Sequence, residues 1–400
     1  MNKFFVKKVI SNIWFTAALM LIVWRVLLVV STLFADKLIP FSPSYPYYES
    51  MLANRGPWWL VRWAGFDGVH YITIATKGYI GTGLIQAFFP LYPAMTQLFN
   101  LFHNVVYSGL LVSHIFTYLM LVFAGKLLGT ERKKSSFFAL CLSLLIFPTS
   151  FFFGAMYTES LFLFLVFSSF YAIRLRRWDV AILCSFFATA TRITGVFLVL
   201  ALLVEMYQEF RSTKKTHTSR FFRLIGVVCI GLGGLFLYMA FLAWKFHDPL
   251  YFLHVQAEFG GGRQESFVPL LQVLYRYMRI FLSFFILGEN GWPIWSWSYY
   301  AYLQELVFTS SVGIVLAIAT VKKGMVRLSY LIYSWGAYIL PTLTGTLQSM
   351  PRYIMIIFPL FFLMERMYHN NRRFFYFLCV VQLIFLIINT MLFVQGLWVA

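Results

Sequence analysis

Apolar runs of about 20 residues alternate with short clusters of Lys and Arg along the whole chain, and a run of that length lets a helix cross the hydrocarbon core of a bilayer. The first run, residues 11–34, follows Lys3, Lys7 and Lys8. It is too long for the apolar region of a signal peptide and lacks a small-residue cleavage site, so it reads as a retained span. Placing the basic clusters on the cytoplasmic side then orients the rest. Residues 36–105 form a long external loop with a Pro and aromatic cluster from Phe41 to Tyr48. Its apolar stretch 84–102 reads as interfacial or re-entrant helix rather than a span.

A second span over 106–128 returns to Arg132, Lys133 and Lys134, and a third over 137–153 leads out to Tyr157-Thr158-Glu159. The fourth starts at Ser160 and comes back to Arg174, Arg176 and Arg177. Residues 180–204 have the length of one crossing, yet basic residues flank both ends, with Arg211, Lys214, Lys215, Arg220 and Arg223 following. A hairpin of two half-helices, broken at Thr191-Arg192-Ile193-Thr194-Gly195, satisfies both flanks, and such a break is tolerated where it lines a cavity. The chain goes out over 224–244, through a second external segment at 246–304 with partly inserted helices, and in to Lys322-Lys323. It exits near Gly345, re-enters after Arg352 to reach Arg372-Arg373, and ends with a span over 374–393. The expected architecture is an all-α polytopic membrane protein, one domain over 1–400, with roughly ten crossings.

Composition agrees: 60% of the 400 residues are hydrophobic and 12% charged, where a soluble globule has about a quarter charged. The net charge of +18 is scattered in loops rather than gathered on one face, which makes it topological and argues against nucleic acid as a partner. Cys141, Cys184, Cys229 and Cys379 sit inside apolar runs without metal-ligand spacing, so they read as packing residues. Most acids, including Asp36, Glu49, Asp67, Asp248, Glu258, Glu265 and Glu289, fall on the external side.

The external loops bring candidate chemistry from separate segments: Asp67 with His70, then Glu159, Asp248, Gln256, Gln348 and Arg352. An enzyme working at the outer face needs such a set. A transporter is the natural rival, but the chain has no two-fold internal repeat and few ionisable residues in mid-span. His70 has no second ligand at helical spacing, so it reads as a hydroxyl-binding or structural residue rather than a metal ligand. His103 and His114 read as interfacial. The aromatic run Trp292, Trp295, Trp297, Tyr299 and Tyr300 reads as an interface belt or a sugar-stacking wall. Arg25, inside the first span, has no evident partner.

Phe66-Asp67-Gly68-Val69-His70-Tyr71, followed by Ala87-Phe88-Phe89-Pro90-Leu91-Tyr92-Pro93, is the strongest local signal. Tyr157-Thr158-Glu159-Ser160-Leu161-Phe162, Thr191-Arg192-Ile193-Thr194-Gly195, Asp248-Pro249-Leu250 with Gln256, and Gln348-Ser349-Met350-Pro351-Arg352-Tyr353 follow in order. In these segments the chain resembles the PIG-V family, the second mannosyltransferase of GPI-anchor assembly, and its bacterial relatives among the multi-spanning GT-C glycosyltransferases. It departs in having Phe66 where the family usually has Trp, and Gly68 where many GT-C enzymes carry a second acid.

The resemblance implies an inverting transferase in a bacterial plasma membrane, working on the external face. It would take a sugar, mannose in the family, from a polyprenyl-phosphate carrier to an acceptor hydroxyl on a glycan or glycolipid. Asp67 matches the family's catalytic base, and a carboxylate can accept a hydroxyl proton during attack on an anomeric carbon; the alternative is a loop acid that caps a helix. Glu159 reads as a hydroxyl ligand or support for Asp67, or as a helix N-terminal charge. Arg192 and Arg352 suit the carrier's phosphate, with snorkelling as the alternative. His70, Asp248, Gln256 and Gln348 complete the expected substrate contacts. No cofactor or metal is indicated, and a lipid or polysaccharide flippase is the alternative function.

Overall fold

The computed structural model describes residues 3–80, 84–100, 103–212, 222–259, 263–264, 268–283 and 297–399. The expectations for Lys214, Lys215, Arg220, Glu265, Glu289, Trp292 and Trp295 lie outside the described residues. Every regular element among the described residues is a helix, and none is a strand. Four helices are long and apolar enough to cross a membrane: Ile13–Leu38, Val105–Glu131, Trp297–Val321 and Arg372–Val394. A fifth candidate is the pair Phe222–Ile230 and Gly233–Phe246, bent by 47°. The first of these buries little against the rest of the chain. Its outward face carries Phe15, Ile22, Val23, Val26 and Phe34, side chains that suit lipid and not water.

The other expected spans are shorter helices; the break at 190–194 falls where the sequence places it, whereas the one after Leu145 interrupts a run expected to be continuous. Phe137–Leu145 stops before Pro148 and resumes as a tight turn over Ser150–Phe153. Glu159–Arg174 begins at the expected re-entry and packs along Val105–Glu131. The hairpin is present as Trp178–Thr189 and Gly195–Ser212, broken at 190–194. A Cβ at Gly195 would stand 2.7 Å from the Ala188 carbonyl, so only glycine lets the second arm start this close to the first. The expected interfacial stretch 84–102 holds a short turn, Leu84–Ala87, and an eight-residue helix, Leu91–Leu98. At about 1.5 Å per residue that helix is only about 12 Å long, too short to span.

A buried aromatic core sits between these elements. Phe152 lies 4.6 Å from Tyr157, and Phe358 lies 5.4 Å from Phe170 between ring centroids. Arg25, which had no evident partner, stacks its guanidinium 4.4 Å from the Trp63 ring.

Candidate active site

Four loop segments, distant in sequence, are tied together by hydrogen bonds to main-chain carbonyls at one end of the bundle. Met156 N donates to Trp63 O at 3.0 Å and Leu91 N to Ala190 O at 3.1 Å, while Thr149 Oγ1 donates to Pro351 O at 2.9 Å. These links place the starts of the Asp67–Lys77 and Glu159–Arg174 helices, the 190–194 break and the Met350–Ile354 turn around one cavity. Its volume is about 450 Å³.

A chain of alternating charges runs into the floor of that cavity. Arg352 donates through Nη1 to Asp67 Oδ2 and through Nε to Glu159 Oε1, both at 2.5 Å. Arg192 Nη1 donates to the same Glu159 oxygen at 2.5 Å and to Thr158 Oγ1 at 3.0 Å. Exposure falls along the chain, from 19% for the Asp67 side chain through 7% for Arg352 to 0% for Glu159. Isolated charges at such depth cost several kcal/mol each to desolvate; here two carboxylates and two guanidiniums neutralise one another. Tyr157 supports the arrangement from below, its ring 4.6 Å from the Arg352 guanidinium. Its hydroxyl accepts from Asp67 N and donates to Gly65 O, both at 3.3 Å.

Backbone conformation aims both partners of the outer ion pair. Phe66, immediately before Asp67, has φ 55° and ψ −118°, a region that costs a bulky residue about 1–3 kcal/mol. Its ring is clamped by Tyr45 at 4.5 Å, Trp398 at 5.0 Å and Phe393 at 5.4 Å, and this packing holds the conformation. Ser349, three residues before Arg352, is also left-handed, with φ 69°. Tyr277 secures that turn by accepting from Leu347 N at 3.2 Å while donating to the buried Glu305.

Of the expected site residues, Asp67, His70, Arg192, Gln256, Gln348 and Arg352 all line the cavity. Glu159 lies behind the lining and holds the two arginines. His70 stacks on Phe88, with centroids 4.9 Å apart. Burial pushes its imidazole pKa below the ordinary 6.5, against the opposing pull of Asp67, so it is neutral at pH 7. Gln348 Oε1 and Thr194 Oγ1 are buried without a hydrogen-bond partner among the described residues, two polar oxygens that a ligand hydroxyl could satisfy. Asp248 is not among the lining residues. Its carboxylate accepts from Leu250 N at 2.9 Å and pairs with His254 at 2.6 Å, the part of a cap for the turn that follows.

No family model, curated protein or solved structure matches this chain. The site therefore speaks through its own geometry.

Sequence reasoning missed Arg263, which lines the cavity, bonds Gln256 Oε1 at 3.3 Å and stacks 5.3 Å from Phe259. The run Gly260-Gly261-Gly262-Arg263, in a segment expected to be external, was the available signal. Thr194, Tyr157 and Trp398 were also missed; the first two lie inside motifs already singled out, whereas nothing near Trp398 marks it. Among the described residues no three His, Cys, Asp or Glu side chains cluster as metal ligands.

Proposed function

We propose that the protein is a membrane glycosyltransferase of GT-C type that moves a sugar, mannose by resemblance, from a polyprenyl-phosphate donor to an acceptor hydroxyl. The observation that carries this reading is the position of Arg352, shared between Asp67 and the buried Glu159 at the floor of a cavity. A donor phosphate is a stronger bidentate partner for guanidinium than a single carboxylate oxygen. When it takes Arg352 from the exposed side, it displaces Asp67 and leaves Glu159 in place. Donor binding thus frees the base.

Asp67 then accepts the acceptor hydroxyl's proton as that oxygen attacks the anomeric carbon. The bond from the anomeric carbon to the phosphate oxygen breaks on the opposite face, so the anomeric centre inverts. The departing polyprenyl phosphate gains negative charge, which Arg352 and Arg192 stabilise in a water-poor site. Gln348 Oε1, Thr194 Oγ1 and neutral His70 supply hydroxyl contacts to the sugar. In this reading the broken helices complete roughly ten crossings, and the cavity opens on the external face of a bacterial plasma membrane. The acceptor is a glycan or glycolipid.

The test uses purified protein in detergent with radiolabelled polyprenyl-phosphate mannose and a glycolipid extract as acceptor. Radiolabel transferred by wild type and not by Asp67→Asn supports the reading. Donor translocation across reconstituted vesicles without transfer would overturn it in favour of a flippase.

A further inference from the structure

The helix from Glu159 to Arg174 leads away from the cavity just described, and its far end enters a second charged region. Arg174 bonds Glu131, the last residue of the Val105–Glu131 helix, at 2.7 Å. Over that helix the two regions are separated by about 22 Å, since each residue adds about 1.5 Å.

At this far end lies a hollow of about 810 Å³ lined by Arg132, Lys133, Lys134, Arg327 and Arg366. Among the described residues two carboxylates, Glu131 and Glu365, bond any of these five cations, and both are already engaged. Glu131 accepts from Arg174 and Arg327, each at 2.7 Å. Glu365, fully buried behind the hollow, accepts from Arg132 at 3.1 Å and from Ser136 N at 2.7 Å, and contacts His369 at 2.9 Å. Lys133, Lys134 and Arg366 are exposed and pair with no carboxylate among the described residues. Convergent like charges with little compensation repel one another and favour an anion between them.

The surroundings identify the kind of anion. Val105–Glu131 ends at the hollow, and Trp297–Val321 ends one residue before Lys322-Lys323, so the cations stand at the level where apolar helices leave the membrane. Pro359, Phe362 and Leu363 form one wall of the hollow, a surface suited to the first methylenes of an acyl chain. A basic recess between spanning helices is the form that lipid headgroup sites take. We infer that this hollow binds the phosphate of an anionic phospholipid headgroup, at the opposite end of the bundle from the Asp67 cavity. The inference rests on the membrane-spanning helices and not on the glycosyltransferase reading.

Delipidated full-length protein in neutral detergent is titrated with dioctanoyl phosphatidylglycerol, dioctanoyl phosphatidylcholine and inorganic phosphate, with binding followed by calorimetry. Phosphatidylglycerol should bind and the other two should bind far more weakly. Each surface cation contributes roughly fivefold to attraction for an anionic headgroup, so Lys133→Gln, Lys134→Gln and Arg366→Gln together should weaken binding by about 10²-fold. Lys133→Arg with Lys134→Arg should keep it. Wild-type binding should also weaken as salt rises, a reading that does not depend on any variant folding. Equal binding of phosphatidylcholine, inorganic phosphate competing as well as the lipid, salt-independent affinity, or full affinity in the triple variant would each overturn the assignment.

Discussion

Arg352 Nη1 meets Asp67 Oδ2 at 2.5 Å across 285 positions of sequence. The contact makes the candidate base and the candidate phosphate ligand compete for each other, so the two roles are not independent. Mutations on either side should reveal that competition.

Asp67→Asn keeps the shape of the side chain but removes its basicity and most of its hold on Arg352. Turnover should fall by about 10²-fold or more. Donor affinity should rise, because the phosphate no longer displaces a carboxylate. Single-turnover transfer and equilibrium binding of labelled donor check the two halves; a helix-capping role alone would leave turnover per folded molecule nearly unchanged.

Arg352→Lys retains a cation but cannot span Asp67, Glu159 and a phosphate at once. Donor KM should increase, and Arg352→Ala should increase it much further. An unchanged donor KM in Arg352→Ala would move phosphate recognition to Arg192 or Arg263.

Glu159→Gln tests stability more than chemistry. Glu159 Oε1 accepts from two guanidiniums while 0% of the side chain is exposed, and breaking buried pairs of this kind costs about 3–5 kcal/mol. A clear fall in thermal midpoint in detergent is expected, together with loss of donor binding. A midpoint equal to wild type would mean that the arginines find other partners.

His70 gives a pH dependence whose sign is fixed by its burial. Its folded pKa lies below the ordinary 6.5, so above that pH the ring is neutral in both folded and unfolded chains and contributes its full packing. As pH falls below about 6.5 the unfolded chain takes up a proton that the folded one resists, and stability drops until the folded pKa is passed. Thermal midpoints at pH 7.5 and 5.5 should therefore differ more for wild type than for His70→Gln. Equal pH sensitivity would assign the effect to other groups.

Sidedness can be read with cysteines introduced at partly or fully exposed positions. Asp248→Cys and Lys133→Cys lie on opposite sides of the assigned topology, so an impermeant thiol reagent added to intact cells should modify the first and spare the second. Labelling of both would remove the separation between the two charged regions.

Much of the architecture was legible in the sequence because bilayer physics writes it in one dimension. The basic clusters at Arg132 and Arg174 and the break at 191–195 mark where helices must end, and the helices end there. The number of full-length spans was less legible. Pro148 and the turn at Ser150–Phe153 split a run that composition alone reads as continuous. Pairings were legible least of all. Nothing periodic links Asp67 to Arg352, or Arg25 to Trp63, because such contacts depend on how helices lean together. Asp248, an acid in a plausible motif, is bonded within a local turn and does not line the cavity, a placement its sequence does not reveal.

The 285-residue separation of Asp67 and Arg352 also has a consequence for biosynthesis. Glu159 and Arg192 are only 33 positions apart and can pair soon after both emerge. Asp67 must wait for Arg352, and at about 5–20 residues per second that interval is about 15–60 s. A chain released or stalled before residue 352 has its innermost ion pair and no finished cavity. The proposed base, Asp67, is made early, and it is restrained only when the last part of the site arrives.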